Sequence, residues 1–442
     1  MEFKYFDFKT KNFNDLLLLK SVDHSFDKVN IFDLLKKNIK IKKSEITIIK
    51  KKIKLFKKKI YVVAFGKMAS TMTENASMIF DKVGNVNYFQ ISNVLDYRIL
   101  KNIKNIKSYK SQHPVPGKQS VKATKKLIQH LKKIEKNSII IFLVSGGGSS
   151  MISYPIKGFS LEKKIKLTKY LFSLNTEPKY LNYFRMSISR VKNGGLLKYI
   201  KTNEIFNFFI SDENEDKISI LSSGPTVNRQ LKIKNLFLDY LKNNKNIREF
   251  LNKNDLNKII ANLNTKIIAK NIKNLILFKN FDFIKIIKKE LKRNIDAEIF
   301  VSKTFLFGDY KKNLKKIEKI AKIVETKKKK FIYIFGAQIE TPKKMMSPKK
   351  LGGRLQHITT DLLKRKIIKN VKILTIATDS QDYDPKVFGT LVDCSKKINT
   401  NKLNFYLKNF KTRNFHVKNK SIIFSKKFSN LNVKDIFIIY NF

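Results

Sequence analysis

One stretch constrains this chain more than any other: Ser138–Met151, S-I-I-I-F-L-V-S-G-G-G-S-S-M, an uncharged run that ends in three glycines and two serines. Residues rich in Ile, Val and Phe with no charge among them read as a strand buried on both faces, the kind found in parallel sheets. The turn after it, Ser145–Ser150, lets backbone N–H groups converge without Cβ interference, and a following helix capped by Ser149 or Ser150 would add its positive end. Such a turn suits phosphate; the competing reading is a plain tight turn. It is neither G-x-G-x-x-G nor G-x-x-x-x-G-K-[ST], and it lacks the G-x-S-x-G spacing of a hydrolase elbow.

At 442 residues and 42% hydrophobic content the chain can bury more than one core. Its single cysteine, Cys394, excludes a disulfide framework and a cysteine-based zinc site, and fits a reducing compartment. The N-terminus carries no apolar run of signal-peptide length, and no run of membrane-spanning length occurs, so a cytoplasmic protein without a membrane partner is expected. Lys and Arg total 93 against 35 Asp and Glu, a net charge of +58. The lysines are dispersed among abundant Ile, Asn and Phe rather than gathered on one motif. They read as solvated faces and loops, and no specific nucleic-acid partner is expected.

Along the chain, residues 1–58 read as helical, Ile60–Phe65 as a buried strand running through Gly66-Lys67 into a helix, and Asn87–Ile91 as a short strand. Helices are expected over Leu161–Ser173 and near Arg185–Ile200, and another buried strand over Ile205–Ile210. This alternation predicts a doubly wound, mostly parallel α/β domain over residues 1–240, with ligands beyond the C-terminal ends of its strands. Connecting helices are expected over 241–295. A smaller C-terminal α/β domain is expected over 296–442, with strands at Phe331–Phe335, Lys372–Ala377 and Ile436–Tyr440 and a helix from Gly352.

In a chain so poor in acids, their clustering is informative. Ser211-Asp212-Glu213-Asn214-Glu215-Asp216 directly follows one expected strand, and Thr378-Asp379-Ser380-Gln381-Asp382-Tyr383-Asp384 follows another. Carboxylates at strand ends near a phosphate turn suit Mg²⁺-assisted phosphoryl transfer, with Asp212, Asp216 and Asp379 as candidate metal ligands and Asp212 as a candidate base. Lys67 and Arg354, each set at a glycine-started turn, are candidates for neutralising the charge of the moving phosphoryl group. His113 reads as a loop staple, because the prolines on both sides of Val115 make its segment structural.

These residues resemble, in order and over most of the chain, the glycerate 2-kinases whose C-terminal module is called MOFRL. Ala64-Phe65-Gly66-Lys67-Met68-Ala69 is similar to the family's G-x-G-K-A-x, His113-Pro114-Val115-Pro116 to its H-P-x-P, and Ser145–Ser150 to S-G-G-G-S-A. Asn182-Tyr183-Phe184-Arg185 with Lys192-Asn193-Gly194-Gly195 resembles N-x-V-R…K-G-G. Ser211-Asp212 with Ser223-Gly224-Pro225-Thr226 resembles S-D…S-G-P-T, and Asn432-Val433 with Asp435 resembles the closing T-N-V-N-D. The resemblance implies two α/β domains with the active site in the cleft between them, and ATP- and Mg²⁺-dependent phosphorylation of the 2-hydroxyl of D-glycerate or a related small hydroxy acid. It implies phosphate or nucleotide contacts from Ser145, Gly146, Gly147, Gly148, Ser149, Ser150, Gly224 and Thr226, and acceptor contacts from Arg185, Lys192 and Asn432.

The sequence departs from the family at Met186-Ser187, where K-H is usual, at Leu355-Gln356-His357 in place of N-Q-E, and in Lys426–Leu431. If Met186, Ser187, Leu355 and His357 line the acceptor pocket, a larger or less charged substrate is expected. Two alternatives stay open: a hydroxypyruvate reductase, a label this family has carried although no G-x-G-x-x-G supports it, and a weakly active or inactive family member. Oligomeric state is open, a homodimer being one option.

Overall fold

The computed structural model describes residues 2–173, 178–213, 216–248, 250–267, 269, 271–340, 352–382, 386–427, 429 and 431–442. Asn214, Glu215, Tyr383 and Asp384, singled out above, lie outside the described residues, as do 428 and 430. The chain forms two compact units, one of Asn30–Phe278 and one of Met1–Val29 with Lys279–Phe442. Among the described residues no helix is long and apolar enough to cross a membrane.

The unit Asn30–Phe278 is built on six parallel strands: β5 (Lys59–Phe65), β6 (Val86–Ser92), β7 (Ile106–Lys110), β8 (Ser138–Val144), β9 (Glu204–Ile210) and β10 (Ile272–Phe278), in the order β10-β9-β8-β5-β6-β7. Every residue of β8 is buried, as its uncharged composition demands, and Ile140, Phe142 and Val144 pack with Val63, Phe65, Phe209, Leu127 and Leu131. After β5 the chain moves outward through β6 and β7, then returns to place β8 on the other side of β5. The reversal makes β5 and β8 the switch point of the sheet, where loops diverge above the strand ends and leave a crevice.

Two segments differ from expectation here. Residues 39–54, read as helical, form an antiparallel meander of β2 (Ile39–Lys42), β3 (Glu45–Ile48) and β4 (Lys51–Lys54). Ile39, Ile46, Ile48 and Ile53 are buried while intervening lysines face water, a period of two that the lysine content obscures. Of the expected connecting region, the helix Asn280–Asn294 belongs to the other unit. Residues up to Phe278 hold the helix Lys253–Asn264 and β10, and with the preceding helix Ile233–Lys242 they bring Phe237, Ile259 and Leu263 into a core shared with Phe184 and Leu167. These residues complete the first unit instead of linking two.

The other unit holds an eight-stranded mixed sheet. Its strands are β1 (Phe6–Asp7), β11 (Glu298–Val301), β12 (Leu306–Gly308), β13 (Phe331–Ile339), β14 (Lys372–Ala377), β15 (Val387–Asp393), β16 (Ile422–Ser425) and β17 (Asp435–Tyr440). They run in the order β1-β16-β15-β14-β17-β13-β11, with β12 also on β13; β11 and β12 pair parallel with β13, and the other ladders are antiparallel. Residues 1–29, expected with the N-terminal domain, belong to this unit. Their helix Phe13–Asp27 lies on helix Asn280–Asn294, with Phe26 and Phe283 rings 4.7 Å apart, and Asp15 accepts bonds of 2.8 Å from both Lys372 and the Tyr440 hydroxyl. Aromatic burial and a bonded carboxylate join chain segments that are far apart in sequence.

Candidate active site

The loops at the C-terminal ends of β5, β8 and β9 are tied into one assembly. Ser145 donates its N–H to Phe65 O (3.1 Å), its hydroxyl accepts the Met68 N–H (3.0 Å), and Gly146 O accepts the Lys67 N–H (2.9 Å). Gly66 sits at φ +122°, and a Cβ there would overlap Ser145, so this approach of the two turns requires glycine. Gly147, at φ +84°, leaves room for the stem of Lys67: a Cβ there would stand 3.2 Å from Lys67 Cγ and 3.1 Å from His113 Cδ2. Lys67 and the exposed His113 therefore both lie against the glycine loop.

One detail of the loop overturns expectation. The helix after it is a single turn, Gly148–Met151, whose N-cap is Gly147, and no side chain caps it. Ser149 and Ser150 lie within the turn: Ser150 Oγ donates to Gly147 O (3.1 Å), and Ser149 Oγ is 2.6 Å from Ser223 Oγ. One turn aligns too few peptides for a sizeable dipole, so the loop's geometry and the neighbouring cations are what it offers an anion.

Ser223 joins the loop to the next element. It donates its hydroxyl to Asn182 Oδ1 (3.0 Å), and Ser222 Oγ donates to Ser145 O (2.9 Å). Ser222, Ser223 and Gly224 all have positive φ, at 50°, 62° and 58°. Two consecutive serines in that region store strain of about 1–3 kcal/mol each, the sort of conformation that clusters at functional sites. The segment is clamped from the other side, with Asn193 N–H on Ser223 O (2.9 Å) and Gly194 N–H on Gly224 O (2.7 Å), so the K-N-G-G and S-G-P-T stretches are one backbone-bonded pair. Thr226 is wholly buried: its carbonyl accepts from Asn207 on β9, and its hydroxyl has no partner among the described residues.

Asp212 and Asp216 lie half-buried in the loop after β9, where Ser211 Oγ donates to Asp216 Oδ1 (2.6 Å) and accepts the Glu213 N–H (3.3 Å). Among the described residues no three His, Cys, Asp or Glu side chains gather as a metal cluster. A Mg²⁺ held by one or two carboxylates together with substrate phosphates needs none, and the donor set at Asp212 and Asp216 fits that mode.

Arg185, half-buried, ends the helix Pro178–Ser187, and Lys192 lies fully buried before Asn193-Gly194. Sequence reading missed a third cation, Lys164, which is 1% exposed on helix Leu161–Ser173. Its signal was its place on the buried stripe with Leu167, Thr168 and Leu171, three, four and seven residues on. Burial first, and then the Arg185 charge, brings Lys164 down to about 7. Burial with Lys164 and Arg185 lowers Lys192 well below its ordinary value, and burial lowers Arg185 against the opposing pull of Glu213.

In the other unit, Arg354 opens helix Arg354–Arg365 and directs Nε and Nη2 to Asp435 at 2.9 and 2.6 Å. Burial works against its charge, but Asp435, Asp382 and Asp379 hold the guanidinium above its usual value. Asp382 caps the helix, accepting N–H bonds from Leu355 (2.9 Å) and Gln356 (3.1 Å), and a Cβ on Gly353 would overlap it. The G-G-R and T-D-S-Q-D stretches thus meet as one cap and ion-pair network. Asn432 is buried with its side-chain nitrogen unpartnered among the described residues.

The expectation that the departures line an acceptor pocket fails. Met186 and Leu355 are both 0% exposed within hydrophobic cores, Ser187 bonds back to Tyr183 O, and His357 stacks on Phe410. An apolar residue in a core is retained by packing and does not describe a substrate.

The family model described as "Domain of unknown function (DUF4147)" matches residues 17–253, more than half of the chain. A protein of Picrophilus torridus named "Glycerate 2-kinase" is 27% identical over 387 residues, which cover 86% of this chain and 87% of that one. A "Glycerate 2-kinase" of Pyrococcus horikoshii is 34% identical over 168 residues, 38% of this chain and 37% of that one. The crystal structure of glycerate kinase from Thermotoga maritima superposes with a TM-score of 0.73 at 22% identity, covering 97% of this chain and 99% of that one, which shows a shared fold. With the glycine loop, the Gly66-Lys67 turn and the S-S-G-P-T clamp all inside the matched residues, the chain belongs to the DUF4147 family, that of the glycerate 2-kinases.

Proposed function

We propose that this chain is an ATP- and Mg²⁺-dependent kinase that phosphorylates the 2-hydroxyl of D-glycerate or a related small hydroxy acid. The observation that carries the reading is the bonding of the Lys67 turn to the glycine loop at the switch point of the parallel sheet. Phosphoryl transfer asks a protein chiefly for positioning and for stabilisation of charge. In this reading the Ser145–Ser150 loop seats a phosphate, with Gly224 shaping the wall behind it, and Lys67 meets the charge that builds on the transferred group. Asp212 accepts the proton of the attacking hydroxyl, while Arg185 and Lys192 hold the acceptor's anionic end. Asp212 and Asp216 would hold Mg²⁺, which neutralises phosphate charge when bound. Asp379 and Asn432 lie in the other unit and carry no step of this reading, and Arg354 is assigned to the ion pair it makes with Asp435.

The test is incubation of the purified protein with ATP, Mg²⁺ and a panel of hydroxy acids. ADP release that depends on D-glycerate is expected; NADH oxidation with hydroxypyruvate and no ADP release would replace the kinase with a reductase. Lys67→Ala should lower kcat by about two to three orders of magnitude, the usual loss when one preorganised charge stabiliser is removed. A turnover close to that of the unaltered protein would remove Lys67 from the site.

A further inference from the structure

Lys164 is not part of any motif that carries the resemblance, yet it is 1% exposed, where a charged ammonium is costly. Its ammonium and that of Lys192 are buried and make no hydrogen bond among the described residues. The charges of Lys164 and Arg185 both act on Lys192, so the three cations lie within one another's fields, and Glu213 acts on Arg185 with the opposite sign. Burying one ammonium without a partner is costly, and placing three like charges together adds repulsion to desolvation. Apolar side chains of similar volume would pack there at lower cost.

The cluster is also held in register with the glycine loop. Asn182, three residues before Arg185 on the same helix, accepts the Ser223 hydroxyl, and Ser223 in turn touches Ser149. Lys192 precedes Asn193, whose N–H is fixed on Ser223 O. Cations anchored through the same serine that contacts the phosphate turn are positioned for an anion of the substrates.

We infer that Lys164 joins Arg185 and Lys192 in one enclosed anion pocket that takes a compact oxyanion, and that Lys164 is a ligand-binding residue of it. The oxyanion is either the carboxylate of the acceptor or a phosphate group. The inference rests on the kinase reading only for the ligand's name. Arg185 is half-buried and the two lysines are fully buried, so Arg185 is the member that an anion from solvent would meet first. Anion entry gives the two orphaned ammonium groups their hydrogen-bond partners, so the pocket is least favourable when empty.

The experiment is thermal unfolding and calorimetric titration of the full chain with D-glycerate and, separately, with inorganic phosphate, for the unaltered protein and for Lys164→Met. The unaltered protein should gain stability from at least one of the two anions. Lys164→Met keeps the volume and removes the charge. Its ligand-free Tm should equal or exceed that of the unaltered protein, while its Kd for the stabilising anion should rise by about ten-fold to a hundred-fold. A response to glycerate alone assigns the carboxylate, and a response to phosphate alone assigns the phosphoryl group. Unchanged affinity in Lys164→Met, a steep fall in its ligand-free Tm, or no response of the unaltered protein to either anion would overturn the inference. Should Lys164→Met not fold, Lys192→Met takes its place with the same expected and overturning results. Anion binding without glycerate-dependent ADP release would keep the pocket and remove the kinase, whereas ADP release with unchanged affinity in Lys164→Met would do the reverse.

Discussion

Asp212→Asn is expected to lower kcat with D-glycerate by about two to four orders of magnitude, the range over which a positioned general base acts. Its Tm should stay close to that of the unaltered protein. The separation follows from placement. Asp212 is half-buried in a loop whose shape is kept by Ser211, through its bonds to Asp216 and to the Glu213 N–H and through the Ser211 N–H on Phe278 O. Asparagine preserves the size of the side chain but cannot take a proton or bind a cation strongly. KM for the acceptor should move little, because a group needed for proton removal acts mainly in the transition state. Steady-state kinetics together with a melting curve decide the matter: a large fall in Tm with modest kinetic loss would make Asp212 a structural residue.

Arg354→Ala should cost about 3–5 kcal/mol of stability, the usual result of removing one partner from a buried ion pair. The Asp435 side chain is 3% exposed, and Arg354 supplies two of the N–H groups that satisfy it. Without the guanidinium, Asp435 would stay buried beside Asp382, and burial together with that neighbour already raises its carboxyl above the usual range. The expected readout is a lower urea midpoint, with partial recovery in Arg354→Lys, which restores the charge but not the planar fork. Replacement of both partners, Arg354→Met with Asp435→Leu, should recover most of the loss, since no charge then remains buried. A loss below about 1 kcal/mol in Arg354→Ala, the level of an exposed pair, would show that the two side chains are not interdependent.

How far the sequence is legible depends on where each signal lies. β8 was readable because an uncharged run has few alternatives to burial on both faces, and Gly66 and Gly147 because the turns they make tolerate no side chain. The meander of residues 39–54 was written just as locally, in its alternating isoleucines, but lysine at nearly every other position resembles a solvated helix equally well. Residues 1–29 carry no mark of the unit they join, since the aromatic and carboxylate partners that hold them lie in strands and helices from the far end of the chain. Met186 and Leu355 illustrate the opposite hazard. A departure from a family motif invites a functional explanation, and only their packing shows them to be core residues.

By itself the sequence determined the strand, the glycine loop and the Lys67 turn, because apolar runs and glycines act on their own backbone and leave few conformations open. The tertiary structure alone decided which charges became unusual. A lysine on a helix reads as solvated until neighbouring elements close over it, and Lys164 acquires its character only when Arg185 and Lys192 are folded into its field. Arg354 becomes a structural cation only once Asp435 is brought to it by the pairing of β17 with β13 and β14. Electrostatic energy depends on distance and burial, and neither is set by position along the chain.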